Sequence, residues 1–238
     1  MTEELFRSDA YLKTVEAKVI ATEGEGIITD RTVFYAMGGG QPGDQGRLTW
    51  TGGELAIADT VKSSDGILHK VAMDGPLPGR DEVVSLALNW ERRHKLMRMH
   101  SLMHLLCASV EGDVTGGQIS EDKSRLDFNI PAGAVDKESL NERLNALVEA
   151  NHPISTRWIS EEELDDNPAM VRTLSVKPPR GAGQVRLVCI GDPDTPVDLQ
   201  PCGGTHVAST GEIGRVRIGK VENKGRQNRR INLHFETT

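Results

Sequence analysis

The residues best suited to chemistry are two pairs of metal-ligand types. His100 and His104 lie four apart in Arg98-Met-His-Ser-Leu-Met-His-Leu-Leu106. Residues at i and i+4 share one face of a helix, which lets two imidazoles reach a single ion. The plainer alternative is two histidines packed or solvated on a helix. A helical zinc-peptidase motif would need Glu directly after the first His as general base. Ser101 stands there, so that chemistry is disfavoured. The second pair is Cys202 and His206 in Pro201-Cys-Gly-Gly-Thr-His206, with Asp198, Thr205 and Ser209 around it. The two glycines allow a tight fold in which a thiolate and an imidazole converge. Its plainer alternative is a buried Cys beside a structural turn. Together the pairs offer three His and one Cys, a donor set suited to zinc. The separation of His104 from Cys202 is unlike a local zinc finger, so the fold must bring a helix and a loop together. Cys107, three residues after His104, reads as a small buried hydrophobe.

Three weaker signals accompany these pairs. Met37-Gly-Gly-Gly-Gln-Pro-Gly-Asp-Gln-Gly46 is glycine-rich, and such loops can cradle phosphate through backbone N–H groups. It lacks the Lys-Ser/Thr ending of a nucleotide loop, and a tight turn between strands explains it as well. Gly116-Gly-Gln118-Ile-Ser120 offers polar groups that could read a small polar substrate; a hairpin turn is the alternative. Residues 215–230 hold Arg215, Arg217, Lys220, Lys224, Arg226, Arg229 and Arg230 against Glu222 alone, and Arg92, Arg93, Lys95 and Arg98 precede the histidine pair. Such clusters suit RNA phosphates, although a solvated surface is the usual meaning of a charge run.

The elements that must position these groups change character near residue 89. Thr14–Ala21, Gly26–Thr29, Thr32–Tyr35, Arg47–Trp50, Glu54–Val61, Ile67–Val71 and Glu82–Leu88 read as short strands separated by Gly- or Pro-rich turns, which suggests a small barrel or sandwich. From Trp90 to Val110 there is no Gly or Pro, and Leu96, Met99, Met103, Leu106 and Val110 follow helical spacing after a candidate N-cap at Asn89. A second helix is expected over Lys137–Ala150, and a short third from Ser160, where Ser160 and Glu163 have capping-box spacing. Arg125–Ile130, Ile154–Ile159, Val185–Ile190, Gly214–Val221 and Arg230–Phe235 read as strands. The expectation is an α+β chain, a β-barrel domain over 1–89 followed by an α+β domain over 90–238.

Composition narrows the class. The 238 residues are 37% hydrophobic and 26% charged, with 25 glycines, an ordinary globular profile. A net charge of −7 disfavours uniform coating of nucleic acid while permitting a local basic patch. Three cysteines are too few, and odd in number, for a secreted disulfide framework. The N-terminus carries no signal-like apolar core, and no run approaches the ~20 apolar residues of a membrane span. A cytoplasmic protein is expected.

Taken together, His100-Ser-Leu-Met-His104-Leu-Leu, Asp198-Leu-Gln-Pro-Cys202-Gly-Gly-Thr-His206-Val and Thr210-Gly-Glu-Ile-Gly214 resemble the editing domain of alanyl-tRNA synthetase and its free-standing relatives, the trans-acting alanyl-tRNA editing proteins. Gly38-Gly-Gly-Gln-Pro42 is similar to a loop in the N-terminal barrel of that family, and the resemblance covers nearly the whole chain. The metal motifs are shared with the threonyl-tRNA synthetase editing domain; the Cys-Gly-Gly-Thr-His wording and the preceding barrel favour the alanyl side. The resemblance implies a β-barrel joined to an α+β editing domain, zinc held by His100, His104, Cys202 and His206, and zinc-dependent hydrolysis of mischarged tRNA(Ala). The substrates expected are Ser-tRNA(Ala) chiefly and Gly-tRNA(Ala) second, with Ala-tRNA(Ala) spared.

Catalytic zinc usually keeps a position open, whereas four protein ligands close the site. Either one ligand is displaced, His206 or Cys202 being the candidates, or zinc positions substrate while another group orients water. Selecting serine over alanine requires a site that hydrogen-bonds the hydroxyl, which can reject the analogue lacking it by ~10⁴-fold. Gln118 and Ser120, with Thr205 nearby, are the candidates for that pocket. Arg92, Arg93, Lys220, Lys224 and Arg226 are the candidates for RNA contact, with neither DNA nor membrane expected as a partner. The alternatives are editing of another mischarged tRNA, a non-catalytic RNA-binding module with structural zinc, and a zinc amidase or esterase acting on small molecules.

Overall fold

A computed structural model describes residues 1–24, 26–72, 76–172 and 183–236. The chain divides into two compact units, Met1–Leu96 and Met97–Thr238. Among the described residues, no helix is long and apolar enough to cross a membrane.

The first unit contains β1 (Glu3–Glu4), β2 (Thr14–Glu23), β3 (Gly26–Thr29), β4 (Arg31–Thr32), β5 (Gly46–Trp50), β6 (Gly53–Lys62), β7 (Ile67–Val71) and β8 (Val83–Leu88). Six of them close a barrel in the order β2-β3-β7-β6-β5-β8. Each neighbouring pair in it is antiparallel. Alternation fills the barrel: Val19, Leu48, Ile57, Val84 and Leu86 share one buried core while their chain neighbours are more exposed.

One expected strand differs. β4 ends at Thr32, and Val33, Phe34 and Tyr35 enter the core without pairing as a strand. Side chains take over their backbone bonds. Phe34 N–H donates to Thr32 Oγ1 at 3.0 Å and Tyr35 N–H to Asp44 Oδ2 at 2.6 Å. The Gly-rich segment forms a two-residue turn bridging Gly38 and Gln41, with Gly39 at φ +56° and Gly40 at φ +84°. Both torsions are left-handed, which is why glycines occupy the turn.

Helix α1 (Trp90–Ser109) begins where the composition changes, and Asn89 Oδ1 accepts from Arg92 N–H at 3.2 Å. The division between the units falls inside this helix. Leu96, Met97, Met99, Leu102, Met103, Leu105 and Leu106 are all buried, so this stretch is apolar around most of its circumference, as a core helix must be.

The second unit continues with β9 (Val114–Gln118), β10 (Lys123–Phe128), α2 (Lys137–Glu149), β11 (Ile154–Ser160), α3 (Glu161–Asp166), β12 (Gln184–Gly191), β13 (Pro196–Pro201), β14 (Val216–Gly225) and β15 (Asn228–Phe235). They form two antiparallel sheets, β14-β15-β10-β9 and β11-β12-β13. Asp136 caps α2, and the Ser160 side chain accepts from Glu163 N–H at α3. The mixed class and the barrel are as expected. Two strands of this unit are not among those expected from the sequence: β9, which contains the Gly116-Gly117 pair, and β13, bounded by Pro196 and Pro201.

A candidate metal centre between helix α1 and the Cys-Gly-Gly-Thr-His loop

Helical spacing puts His100 and His104 on one side of α1, with ring centroids 5.3 Å apart. The loop after β13 brings Cys202 and His206 to them. His206 lies 4.3 Å from His100 and 4.8 Å from His104, centroid to centroid. Cys202 Sγ is 3.4 Å from His100 Nε2 and 3.6 Å from His206 Nε2. One ligand atom from each of the four lies within 4.8 Å of the others.

The two distances from Cys202 Sγ to His100 Nε2 and His206 Nε2 fit a tetrahedral ion. With Zn–S about 2.3 Å and Zn–N about 2.0 Å, the S···N edges of a tetrahedron are about 3.5 Å. Three imidazoles and a thiolate also match the ion chemically.

The loop is held by groups outside the cluster. Arg186 on β12 is buried. Its Nη1 donates to the carbonyls of Cys202 at 2.9 Å and Gly204 at 3.1 Å. Cys202 N–H returns a bond to Arg186 O at 3.1 Å. Ser101, between the two helix histidines, accepts from Val207 N–H at 3.2 Å and ties the loop to α1. Gly204 N–H donates to Cys202 Sγ at 3.5 Å, a bond that favours thiolate.

Asp198 and Gln200 support His104. Asp198 Oδ2 is 2.7 Å from His104 Nδ1, and Gln200 Nε2 donates to Asp198 Oδ2 at 2.8 Å. A carboxylate on Nδ1 fixes the tautomer and leaves Nε2 as the donor atom for an ion. In the sequence Asp198 stands only as a neighbour of the Cys202–His206 motif, and nothing there marks Gln200 or Arg186 by residue type. The legible signal was alternation: Asp198 and Gln200 are two apart in a strand, so they share a face.

In this cluster burial competes with the charges and hydrogen bonds of the neighbouring groups. Burial opposes ionisation of the Cys202 thiol, but the neighbouring His100 and His206 outweigh it and hold its pKa well below the usual thiol value. Burial also opposes charge on His104; hydrogen bonds and attraction from Asp198 and Cys202 prevail and raise it to about 10. His206 is lowered to about 3, by burial and then by His100. The Cys107 thiol is pushed up to about 12, by burial first and then by Asp198. It stays protonated, as expected of a core cysteine.

The other expected site residues separate. Thr205 is buried inside the Cys-to-His loop. Gln118 and Ser120 instead line a cavity of about 330 Å³ with Lys123, Arg125, Glu222 and Arg230, and Thr205 is not in its lining. Gln118 is exposed and its Oε1 accepts from Arg125 Nε at 3.4 Å. Ser120 shapes the turn: its hydroxyl donates to Lys123 O and its N–H to Ser124 Oγ.

The expected RNA contacts also divide. Lys220, Lys224 and Arg226 are exposed on the β14–β15 ribbon, and Lys224 pairs with Glu222 at 3.0 Å. Arg92 is half-buried and donates to Gly43 O at 2.8 Å. Arg93 must be withdrawn. It is fully buried in the first unit, where its guanidinium pairs with Asp44 and donates to Val33 O at 2.8 Å, so it cannot reach a phosphate.

Residues 185–232 match the family described as the threonyl and alanyl tRNA synthetase second additional domain, and residues 7–92 match the class II (A) tRNA synthetases. The alanyl-tRNA editing protein AlaX-M of Methanosarcina mazei is 35% identical over 244 residues, covering 97% of this chain and 95% of the relative. AlaX-M of Saccharolobus solfataricus is 34% identical over 237 residues, covering 97% of this chain and 98% of the relative. The alanine–tRNA ligase of Pyrobaculum aerophilum is 36% identical over 231 residues, which cover 93% of this chain and 25% of that ligase.

Proposed function

The chain belongs to the family of alanyl-tRNA editing proteins, and from that premise we propose that it is a zinc-dependent, trans-acting deacylase of mischarged tRNA(Ala). Its chief substrate is Ser-tRNA(Ala), with Gly-tRNA(Ala) second and Ala-tRNA(Ala) spared. The observation that carries this reading is the convergence of His100, His104, Cys202 and His206 within 4.8 Å, in a chain that aligns with free-standing editing proteins along nearly its whole length.

The reaction is hydrolysis of the ester between the amino acid and the terminal ribose. Water adds to the carbonyl, the bond to the ribose oxygen breaks, and the tRNA hydroxyl and the free amino acid are released. Zinc held by the four donors would supply Lewis-acid chemistry, polarising the carbonyl and lowering the pKa of water. The chain's own residues prepare the site. Asp198 orients His104, Arg186 fixes the carbonyls of Cys202 and Gly204, and Ser101 anchors the loop to α1. Gln118 is assigned to recognition of the serine hydroxyl. Ser120 shapes the turn beside it, and Thr205 supports the loop.

The four-donor set favours one other reading, because a closed Cys-His₃ site is also the form of a structural zinc. On that reading the protein binds RNA and cleaves nothing.

The test is deacylation of Ser-tRNA(Ala) with Ala-tRNA(Ala) in parallel. Rapid loss of serine with alanine retained is expected; equal rates for both would exclude editing specificity. Gln118→Ala should slow serine removal while bound zinc stays unchanged. Unaltered selectivity in that variant would rule out a role for Gln118 in recognising serine.

A further inference from the structure

Trp158 is one of three tryptophans and is 49% exposed. It lies on β11, an edge strand of the β11-β12-β13 sheet. Among the described residues, its ring stacks on no other aromatic ring and carries no cation over it. The neighbouring Ile159 is buried in a cluster with Leu164, Val185 and Leu187, so Trp158 points to the opposite face.

That opposite face is the one bearing the metal centre. Trp158 pairs with Arg186 in the β11–β12 register. Arg186 in turn lies across from Cys202, continuing the Leu187–Pro201 pairing, with Cys202 N–H donating to Arg186 O at 3.1 Å. Directly paired residues in antiparallel strands project to the same side. Thus Trp158, Arg186 and Cys202 form one row across the sheet. Gln200 and Asp198, which reach His104, lie on the same face. Two strand spacings of about 4.8 Å set the backbone of Trp158 about 10 Å from that of Cys202 along that row.

Single exposed apolar side chains are ordinary on a protein surface; what sets Trp158 apart is that its pairing with Arg186 puts it on the row that ends at Cys202. The substrate of the proposed reaction brings a flat group at this reach. The ester sits on the ribose of the 3′-terminal adenosine, and its base lies a ribose width from the carbonyl. We propose that Trp158 is the stacking platform for the terminal adenine of the tRNA acceptor, setting the distance from base to ester so that the ester comes over the Cys202 end of the row. This inference rests on the editing reading and specifies how that substrate is held. Base–aromatic stacking tolerates any aromatic ring, so Phe should substitute for Trp where Ala cannot.

The experiment measures binding of uncharged tRNA(Ala), with and without its 3′-terminal adenosine, to wild type, Trp158→Ala and Trp158→Phe, alongside deacylation of Ser-tRNA(Ala). Circular dichroism and zinc content serve as fold controls. Trp158→Ala is expected to weaken binding of the full-length tRNA by about 5- to 150-fold. It should leave binding of the tRNA ending in CC unchanged, and Trp158→Phe should restore most of the loss. If Trp158→Ala binds both tRNAs as wild type does while wild type deacylates normally, the stacking inference falls and editing stands. An equal loss for both tRNAs also overturns it, because the effect would not depend on the base. If folded, zinc-loaded wild type neither binds nor deacylates, the editing reading falls and takes this inference with it.

Discussion

Asp198 shows how one side chain can govern a site it does not complete. Its carboxylate accepts from His104 and from Gln200, so it fixes which imidazole nitrogen faces the cluster. Asp198→Asn should weaken zinc affinity by about 10- to 100-fold, read by competition with a coloured chelator; unchanged affinity would show that His104 is oriented without it. The four candidate ligands themselves were legible in the sequence, because residue type and short spacing define them. Arg186 and Trp158 were not. Their placement depends on which residues face each other across β11, β12 and β13, and register is set by partners distant in sequence. Arg93 misled for a related reason. A basic residue in a basic cluster reads as surface, and its buried partner Asp44 lies 49 residues away.

At the scale of elements, the periodic segments were the legible ones. Helix α1, β7 and the closed barrel follow from apolar spacing and turn residues. Thr32–Tyr35 was misread as strand because a buried β-type run looks alike whether it is paired or plugs a core. β13 was missed because its prolines and polar residues mask an alternating face. The barrel also contains a buried pH-sensitive group. His69 Nδ1 lies 2.9 Å from Ile27 O and its Nε2 2.8 Å from Thr32 Oγ1, an arrangement suited to the neutral ring. Burial lowers its pKa from 6.5 to about 4, against the opposing bond to Ile27. A depressed histidine pKa means the unfolded chain takes up the proton first. The resulting stability is therefore complete above about pH 6.5 and is lost as pH falls toward 4, on the order of 3 kcal/mol. Urea unfolding at pH 7.5 and 5 should show a larger acid loss in wild type than in His69→Asn; equal losses would contradict this.

At the scale of the whole molecule, charge is distributed unevenly. The chain carries −7, yet the β14–β15 ribbon presents Lys220, Lys224 and Arg226 to solvent. Two further arginines there serve the fold. Arg229 donates to Gly225 O and Asn228 O at 2.7 Å, and Arg230 forms a two-pronged pair with Asp127. An RNA partner held by the ribbon should dissociate steeply as salt rises. Replacing Lys220, Lys224 and Arg226 by Ala should weaken tRNA binding and flatten the log–log salt slope by about one for each phosphate that a removed cation had neutralised. An unchanged slope would move the RNA face elsewhere.

The decisive comparison is Ser-tRNA(Ala) hydrolysis by zinc-loaded, zinc-stripped and zinc-restored protein, each confirmed folded by circular dichroism. Rapid serine release is expected from the loaded protein, with loss of activity on stripping and recovery on adding zinc. Folded, zinc-loaded protein that leaves the ester intact would contradict the editing assignment and favour the binding module with a closed structural zinc. A stripped protein that keeps its full rate would detach the chemistry from His100, His104, Cys202 and His206.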